Sequence, residues 1–174
     1  MKTKIILIFI IVIFCAIMAY LSTPKKSFKL SPPKINQDES YEVVKVIDGD
    51  TLEVKIGKSF WKVRMLGIDT PETVDPDKPI QCYGKEASEK TMELLSNSYI
   101  KIYLDNTQDQ IDKYNRLLAY VFKDDLFINE YLLKNGLARE YTYSKKYEKQ
   151  KEFRKIEKEA EENKIGLWKE CENN

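Results

Sequence analysis

The sequence predicts a mainly β fold of the α+β class, a small Greek-key barrel with helices set among its strands. Three observations predict it: short β-branched runs that alternate with period two, Gly and Asp turn signals between most of them, and two interrupting stretches of helical period. The first strand is Tyr41–Ile47 (YEVVKVI), and the second is Thr51–Ile56, where Leu52, Val54 and Ile56 share a face. Asp48-Gly49-Asp50 turns the chain between them, and Gly57-Lys58 turns it again into Ser59–Leu66. There Trp61, Val63 and Met65 face one way, and Lys62 and Arg64 the other. Ile100–Leu104 and Leu117–Phe122 complete a set of five strands. The stretch Lys85–Asn97 spaces Ala87, Thr91, Leu94 and Leu95 as a helical stripe. Ile128–Asn135 does the same with Ile128, Tyr131 and Leu132, and Gly136 follows where a left-handed cap belongs. Lys145–Asn163 is mostly Lys and Glu with a thin stripe of Phe153, Ile156 and Ala160, which predicts a solvated helix docked by one edge.

The 174 residues suffice for one domain with a real core. With 43% hydrophobic and 33% charged residues, the chain is neither disordered nor a multi-span membrane protein. Histidine is absent, which removes His-based triads and His-ligated zinc. The three cysteines form no CxxC pair, so a zinc ribbon is excluded as well.

Ahead of the domain, Lys2 and Lys4 precede an unbroken apolar run from Ile5 to Leu21. As a helix its length is about 26 Å, close to the thickness of a bilayer core. Residues 1–22 therefore form a hydrophobic helix that acts as a signal peptide or a membrane anchor. Residues 23–40, rich in Pro and Ser, read as a linker, 41–170 as the folded domain and 171–174 as a tail. Export places the domain outside the cytoplasm, secreted or anchored to the outer face of the membrane.

Chemistry must then come from carboxylates and guanidiniums. Asp48 and Asp50 flank a glycine in IDGDT, and Asp69 and Glu72 bracket Thr70-Pro71 in IDTPET. Either motif alone is an ordinary turn. Only four of the 29 basic residues are arginines, and in so lysine-biased a chain arginine points to sites needing a planar, bidentate fork. Arg64 lies five residues before Asp69, and Arg116 immediately precedes a strand. Two arginines and three carboxylates near strand ends can hold a hard cation, orient water and neutralise a phosphate.

In order, VIDGDT, VRMLGIDTPET, YGKEAS, DKYNRLLAYVF and NGLARE make the stretch from Tyr41 to Trp168 resemble the staphylococcal nuclease family. The resemblance implies an OB-type five-stranded barrel with three helices. It further implies one Ca²⁺ held by the carboxylates of Asp50 and Asp69 and the carbonyl of Thr70, with Asp48 as an acid just outside. Glu72 is implied as the general base or water-orienting group, and Arg64 and Arg116 as the grip on the scissile phosphate. Lys113 and Tyr114 match residues near a terminal phosphate of the substrate. The implied reaction cleaves the 5′-O–P bond of DNA and RNA and leaves 3′-phosphate ends. Nucleic acid is thus the expected partner, along with a membrane through residues 5–21 if that segment is uncleaved, and the chain is expected to be a monomer.

Two departures from the family prototype stand out. Asn115 replaces a glycine, and asparagine is the substitute that best tolerates left-handed backbone. Residues 41–170 carry 23 Lys and Arg against 25 Asp and Glu, with Asp75 and Asp77 in the loop 74–80, so weaker and less salt-dependent binding of long DNA is expected. Cys82 and Cys171 either pair in an oxidising exterior or remain two thiols. The rival functions are a non-catalytic, exported OB-type module that binds nucleic acid, and a membrane-tethered structural protein. The complete set of acids and arginines argues against both.

Overall fold

The computed structural model describes residues 13, 31–73 and 79–171. The expected hydrophobic helix within 1–22, the linker as far as residue 30, Asp75 and Asp77, and residues 172–174 lie outside the described residues. Among the described residues no helix is long and apolar enough to cross a membrane.

Among the described residues eight strands and four helices follow one another: β1 (Tyr41–Val46), β2 (Thr51–Ile56), β3 (Ser59–Met65), β4 (Ile68–Asp69), α1 (Gly84–Leu95), β5 (Tyr99–Tyr103), β6 (Leu117–Lys123), β7 (Leu126–Phe127), α2 (Ile128–Lys134), β8 (Arg139–Glu140), α3 (Gln150–Glu162) and α4 (Leu167–Glu170). The five strands read from the sequence, β1, β2, β3, β5 and β6, are the barrel. Their order is β3-β2-β1-β5-β6, and a parallel pairing of β3 with β6 closes it, the OB-type arrangement. The β1–β2 ladder shifts register between Val43 and Lys45, a bulge that sharpens the bend a small barrel needs.

Alternation fills the interior. Val43, Leu52, Val54, Val63, Ile100, Ile102, Leu117, Ala119 and Val121 all point into the core with at most 3% of their surface exposed. One end is plugged by α2 and α3. Leu132, Leu133 and Phe153 are fully buried there, with the Phe122, Phe127, Tyr120 and Tyr147 rings gathered around them. Asn129 on α2 stitches helix to barrel, accepting from Val121 N–H at 2.9 Å and donating to the Leu66 carbonyl at 2.8 Å.

The third helix starts later than its charge pattern suggests, at Gln150 rather than Lys145. Tyr147 is buried against Phe153, and its hydroxyl donates to Glu140 and to the Gly67 carbonyl. Glu148 N–H goes to Asp105, and the carbonyls of Lys145 and Lys146 accept from Gln108. Those partners hold 145–148 as a loop, and the solvated helix docks by Phe153 and Ala160 as its stripe predicts. The two-residue pair β4–β8 is too short to leave a periodic signal, yet it sets Asp69 opposite Arg139.

Candidate active site

Barrel register assembles the site. Arg64 on β3 pairs across to Thr51 at the start of β2, and on its other side to Leu118 on β6. One residue from Thr51 is Asp50, and two from Leu118 is Arg116. Residues 50, 64 and 116 therefore converge because β3 and β6 pair. Just beyond, the β3–β4 turn returns the chain so that Asp69, Thr70 and Glu72 close the same wall. All line a cleft of about 700 Å³ together with Asp48, Lys113 and Tyr114.

Arg64 is the centre of this arrangement. The side chain lies on the face of β3 away from the barrel core, as its alternation predicts, but only 9% of the residue is exposed, because the cleft walls cover it. One guanidinium nitrogen, Nη1, lies 3.1 Å from Asp50 Oδ2 and donates to the carbonyls of Met65 (3.0 Å) and Ile68 (2.8 Å). Nη2 donates to Asp69 Oδ1 at 2.6 Å. Asp50, 4% exposed, also receives the Thr70 N–H and hydroxyl on Oδ2 and the Thr51 hydroxyl on Oδ1. Asp48 Oδ1 accepts from Asp50 N–H, the side chain-to-backbone bond that shapes the IDGD turn. An added Cβ at Gly49 would lie 2.7 Å from Thr70 Oγ1, so glycine is what lets the Thr70 segment close over this turn. From outside, Thr91 of α1 donates its hydroxyl to the Gly49 carbonyl at 2.8 Å.

Acids crowded in this way resist ionising. Burial, then the neighbouring Asp50 carboxylate, pushes Asp48 up to about 6. Asp69 is raised as well, first by burial, with Asp50 and Glu72 adding to the rise against the pull of Arg64.

Arg116 is held differently. Its Nε donates to Asp112 Oδ2 at 2.7 Å, and its guanidinium lies over the Tyr114 ring, 5.3 Å from the centroid. Because this pairing runs through Nε, the Nη fork is the edge suited to a ligand. Asp112 Oδ1 takes the N–H groups of Tyr114 and Arg116, forming a turn in which Asn115 adopts φ +61°, the left-handed backbone expected where the family prototype has glycine. Lys113 Nζ sits over the rings of Tyr114 and Tyr143, at 4.9 and 5.5 Å, on the rim of the cleft.

Glu72 lines the same cleft. Its N–H donates to Gln81 Oε1 and its carbonyl accepts from Gln81 N–H, both at 3.0 Å, so residues 72 and 81 form the neck of a loop. Glu72 Oε1 also accepts from Thr73 N–H. Close by, Cys82 is disulfide-bonded to Cys171, with Cα atoms 5.9 Å apart, which resolves the open alternative between paired and free thiols. Sequence reasoning missed the supporting residues Thr91, Gln81 and Asp112, and the rim tyrosines Tyr141 and Tyr143. The DKYNR turn contained a signal for Asp112, since an Asp three residues before a left-handed Asn commonly caps its own turn.

The oxygens of Asp50, Asp69 and Thr70 are hard donors that suit Ca²⁺ or Mg²⁺ rather than a thiophilic metal. Among the described residues no three acidic or cysteine side chains stand close enough to cage an ion alone. Two carboxylates and one carbonyl are hard donors that would need water to complete the coordination of such an ion.

The family model described as staphylococcal nuclease homologue matches residues 62–170. The Thermonuclease of Staphylococcus hyicus is 36% identical over 162 residues, covering 93% of this chain and 95% of its own length. The chain belongs to the staphylococcal nuclease family. A second Thermonuclease, from Staphylococcus intermedius, is 37% identical over 163 residues, 94% of this chain and 95% of its own. Endonuclease YncB of Bacillus subtilis is 39% identical over 141 residues, 79% of this chain and 66% of its own. The matched family segment begins inside β3 and contains Arg64, Asp69, Glu72 and Arg116, while Asp50 precedes it.

Proposed function

We propose that the protein is a calcium-dependent nuclease that hydrolyses phosphodiester bonds of DNA and RNA outside the cytoplasm, breaking the 5′-O–P bond and leaving a 3′-phosphate. The reading is carried by the convergence of two guanidiniums, Arg64 and Arg116, with Asp50, Asp69 and Glu72 on one cleft. The thermonuclease and endonuclease relatives support it. The disulfide supports an oxidising location, secreted or at the outer face of the membrane.

Asp50, Asp69 and the Thr70 carbonyl would hold the ion, which supplies positive charge beside a phosphate oxygen when bound. Glu72 orients the attacking water and draws its proton. Arg64, held at the cleft by two carboxylates and two carbonyls, places a fixed positive charge where negative charge builds on phosphorus. The Nη fork of Arg116 adds a bidentate grip from the other side, and Lys113 and Tyr114 hold a flanking phosphate. Fixing water against phosphorus supplies roughly 7–11 kcal/mol, and each aimed charge about 3–4 more.

Incubating the full chain with plasmid DNA and with RNA, with and without chelator, tests this. Cleavage abolished by chelation and restored by Ca²⁺ better than by Mg²⁺ is the expected result. Activity that survives chelation, or returns equally with either ion, overturns calcium dependence. Retention of DNA with no cleavage under any condition favours a binding module instead.

A further inference from the structure

We propose that the Cys82–Cys171 disulfide is a clamp that positions the Glu72 loop, so that its reduction by a dithiol lowers turnover while the barrel stays folded. This rests on the reading of Glu72 as the group that acts on water.

The two ends of the bond are held unequally. On the Cys171 side, Leu167 is 1% exposed and its N–H bonds the Gly136 carbonyl at 2.9 Å. Ile165 N–H bonds Ala160, and the Arg139 guanidinium lies 4.1 Å from the Trp168 ring centroid. The tail is thus docked on α2 and α3 without help from sulfur.

On the Cys82 side the anchor is α1, docked by Ala87, Thr91 and Leu95, but the junction that leads into that helix is strained. Cys82 follows directly on Gln81, half of the loop neck, and precedes Tyr83, which takes φ +67°. That is left-handed backbone for a bulky side chain, a conformation that persists only where the surroundings impose it. No side chain caps the start of α1. The next residue, Gly84, lies so close to this loop that a Cβ there would stand 3.1 Å from the Glu72 carbonyl and 3.0 Å from that of Pro71. A displacement of residues 82–84 therefore passes straight to the backbone of Glu72. The bond pins a strained, uncapped junction to a fixed post.

Both cysteines are half-buried, within reach of a small reagent. One thiolate of the dithiol attacks a sulfur of the bond, forming a mixed disulfide and releasing one cysteine. The second thiolate then displaces the other cysteine, leaving a cyclic disulfide reagent and two protein thiols that take up its two protons. Arg64 and Arg116 sit on barrel strands or beside them, so substrate grip is spared and placement of Glu72 is not.

The test uses the full chain with Cys15→Ser, so that one bond alone responds, at saturating Ca²⁺. Turnover on DNA and far-UV circular dichroism are followed before reduction, after it, and after reoxidation. The expected result is a fall in kcat of about tenfold or more with KM within about twofold, since misplacing a reacting group by about 1 Å costs that much or more. Circular dichroism is retained, and reoxidation restores kcat. The Cys82→Ser/Cys171→Ser chain shows the low kcat with or without dithiol. Unchanged kcat in the reduced chain overturns the clamp, as does loss of the far-UV signal together with activity. An oxidised chain with no turnover at all overturns hydrolysis itself, and the clamp with it.

Discussion

Removing each arginine separately distinguishes their roles. Arg64 is 9% exposed and joins Asp50 at 3.1 Å to Asp69 at 2.6 Å while satisfying two carbonyls. Breaking a buried pair by deleting one partner costs about 3–5 kcal/mol. Because the Asp69 side chain is 54% exposed and can be rehydrated, the lower end, about 3 kcal/mol, applies to Arg64→Ala. For a domain of this size that is a fall in Tm of roughly 10 °C. Arg116 has 26% of its side chain exposed and a single ion-pair partner in Asp112, so Arg116→Ala costs at most about 1 kcal/mol, or roughly 3 °C. Both variants lose about a hundredfold to a thousandfold in kcat, the loss that follows removal of a preorganised charge stabiliser. Thermal melts in chelator measure the first quantity, and cleavage of DNA in Ca²⁺ well below both Tm values measures the second. Equal melting temperatures refute the view of Arg64 as the strut of the site. Near-normal turnover in either variant refutes the catalytic assignment.

Two further variants probe single groups. Glu72→Gln keeps the backbone bonds to Gln81, so stability changes by no more than about 0.5 kcal/mol while kcat falls by about 10²–10⁴; a fall smaller than tenfold removes Glu72 from the chemistry. Asp105, 3% exposed, is pushed up by burial but held below the ordinary carboxylate value by hydrogen bonds from Thr107, Tyr120 and the Glu148 N–H. A depressed folded value contributes stability that is complete above the unfolded value of about 3.9 and is lost as pH falls through the folded one. Asp105→Asn is therefore less stable at pH 7 by about 1–3 kcal/mol and loses less on acidification below pH ~4, as urea melts across that range measure; an unchanged acid limb contradicts it.

What the sequence revealed and what it concealed follow physical lines. Strands were legible where one face is core and the other is not, as in β2, whose Thr51–Ile56 bounds match. The β3 alternation sets Arg64 on the outer face as read, yet Val63, Arg64 and Met65 are all buried because a second layer covers that face. No local pattern reports a covering layer contributed by distant residues. The candidate site was legible through the scarcity of arginine and through turn motifs, and all five principal side chains line one cleft. Its supports were not legible, since Thr91 acts through a bond that exists only after α1 has docked, and Gln81 through a loop neck that leaves no periodic signal. Asp105 and Asn129 likewise look like loop and helix residues until the groups they bridge, 8 to 63 positions away, are in place.

Parallel pairing of β3 with β6 has an outcome in time as well as space. Residue 63 meets residue 117 where the barrel closes, and that contact is what brings the two guanidiniums to one cleft. On the proposed reading, a chain whose barrel has not closed thus holds no assembled centre for cutting nucleic acid. Harm becomes available in a single event, at closure.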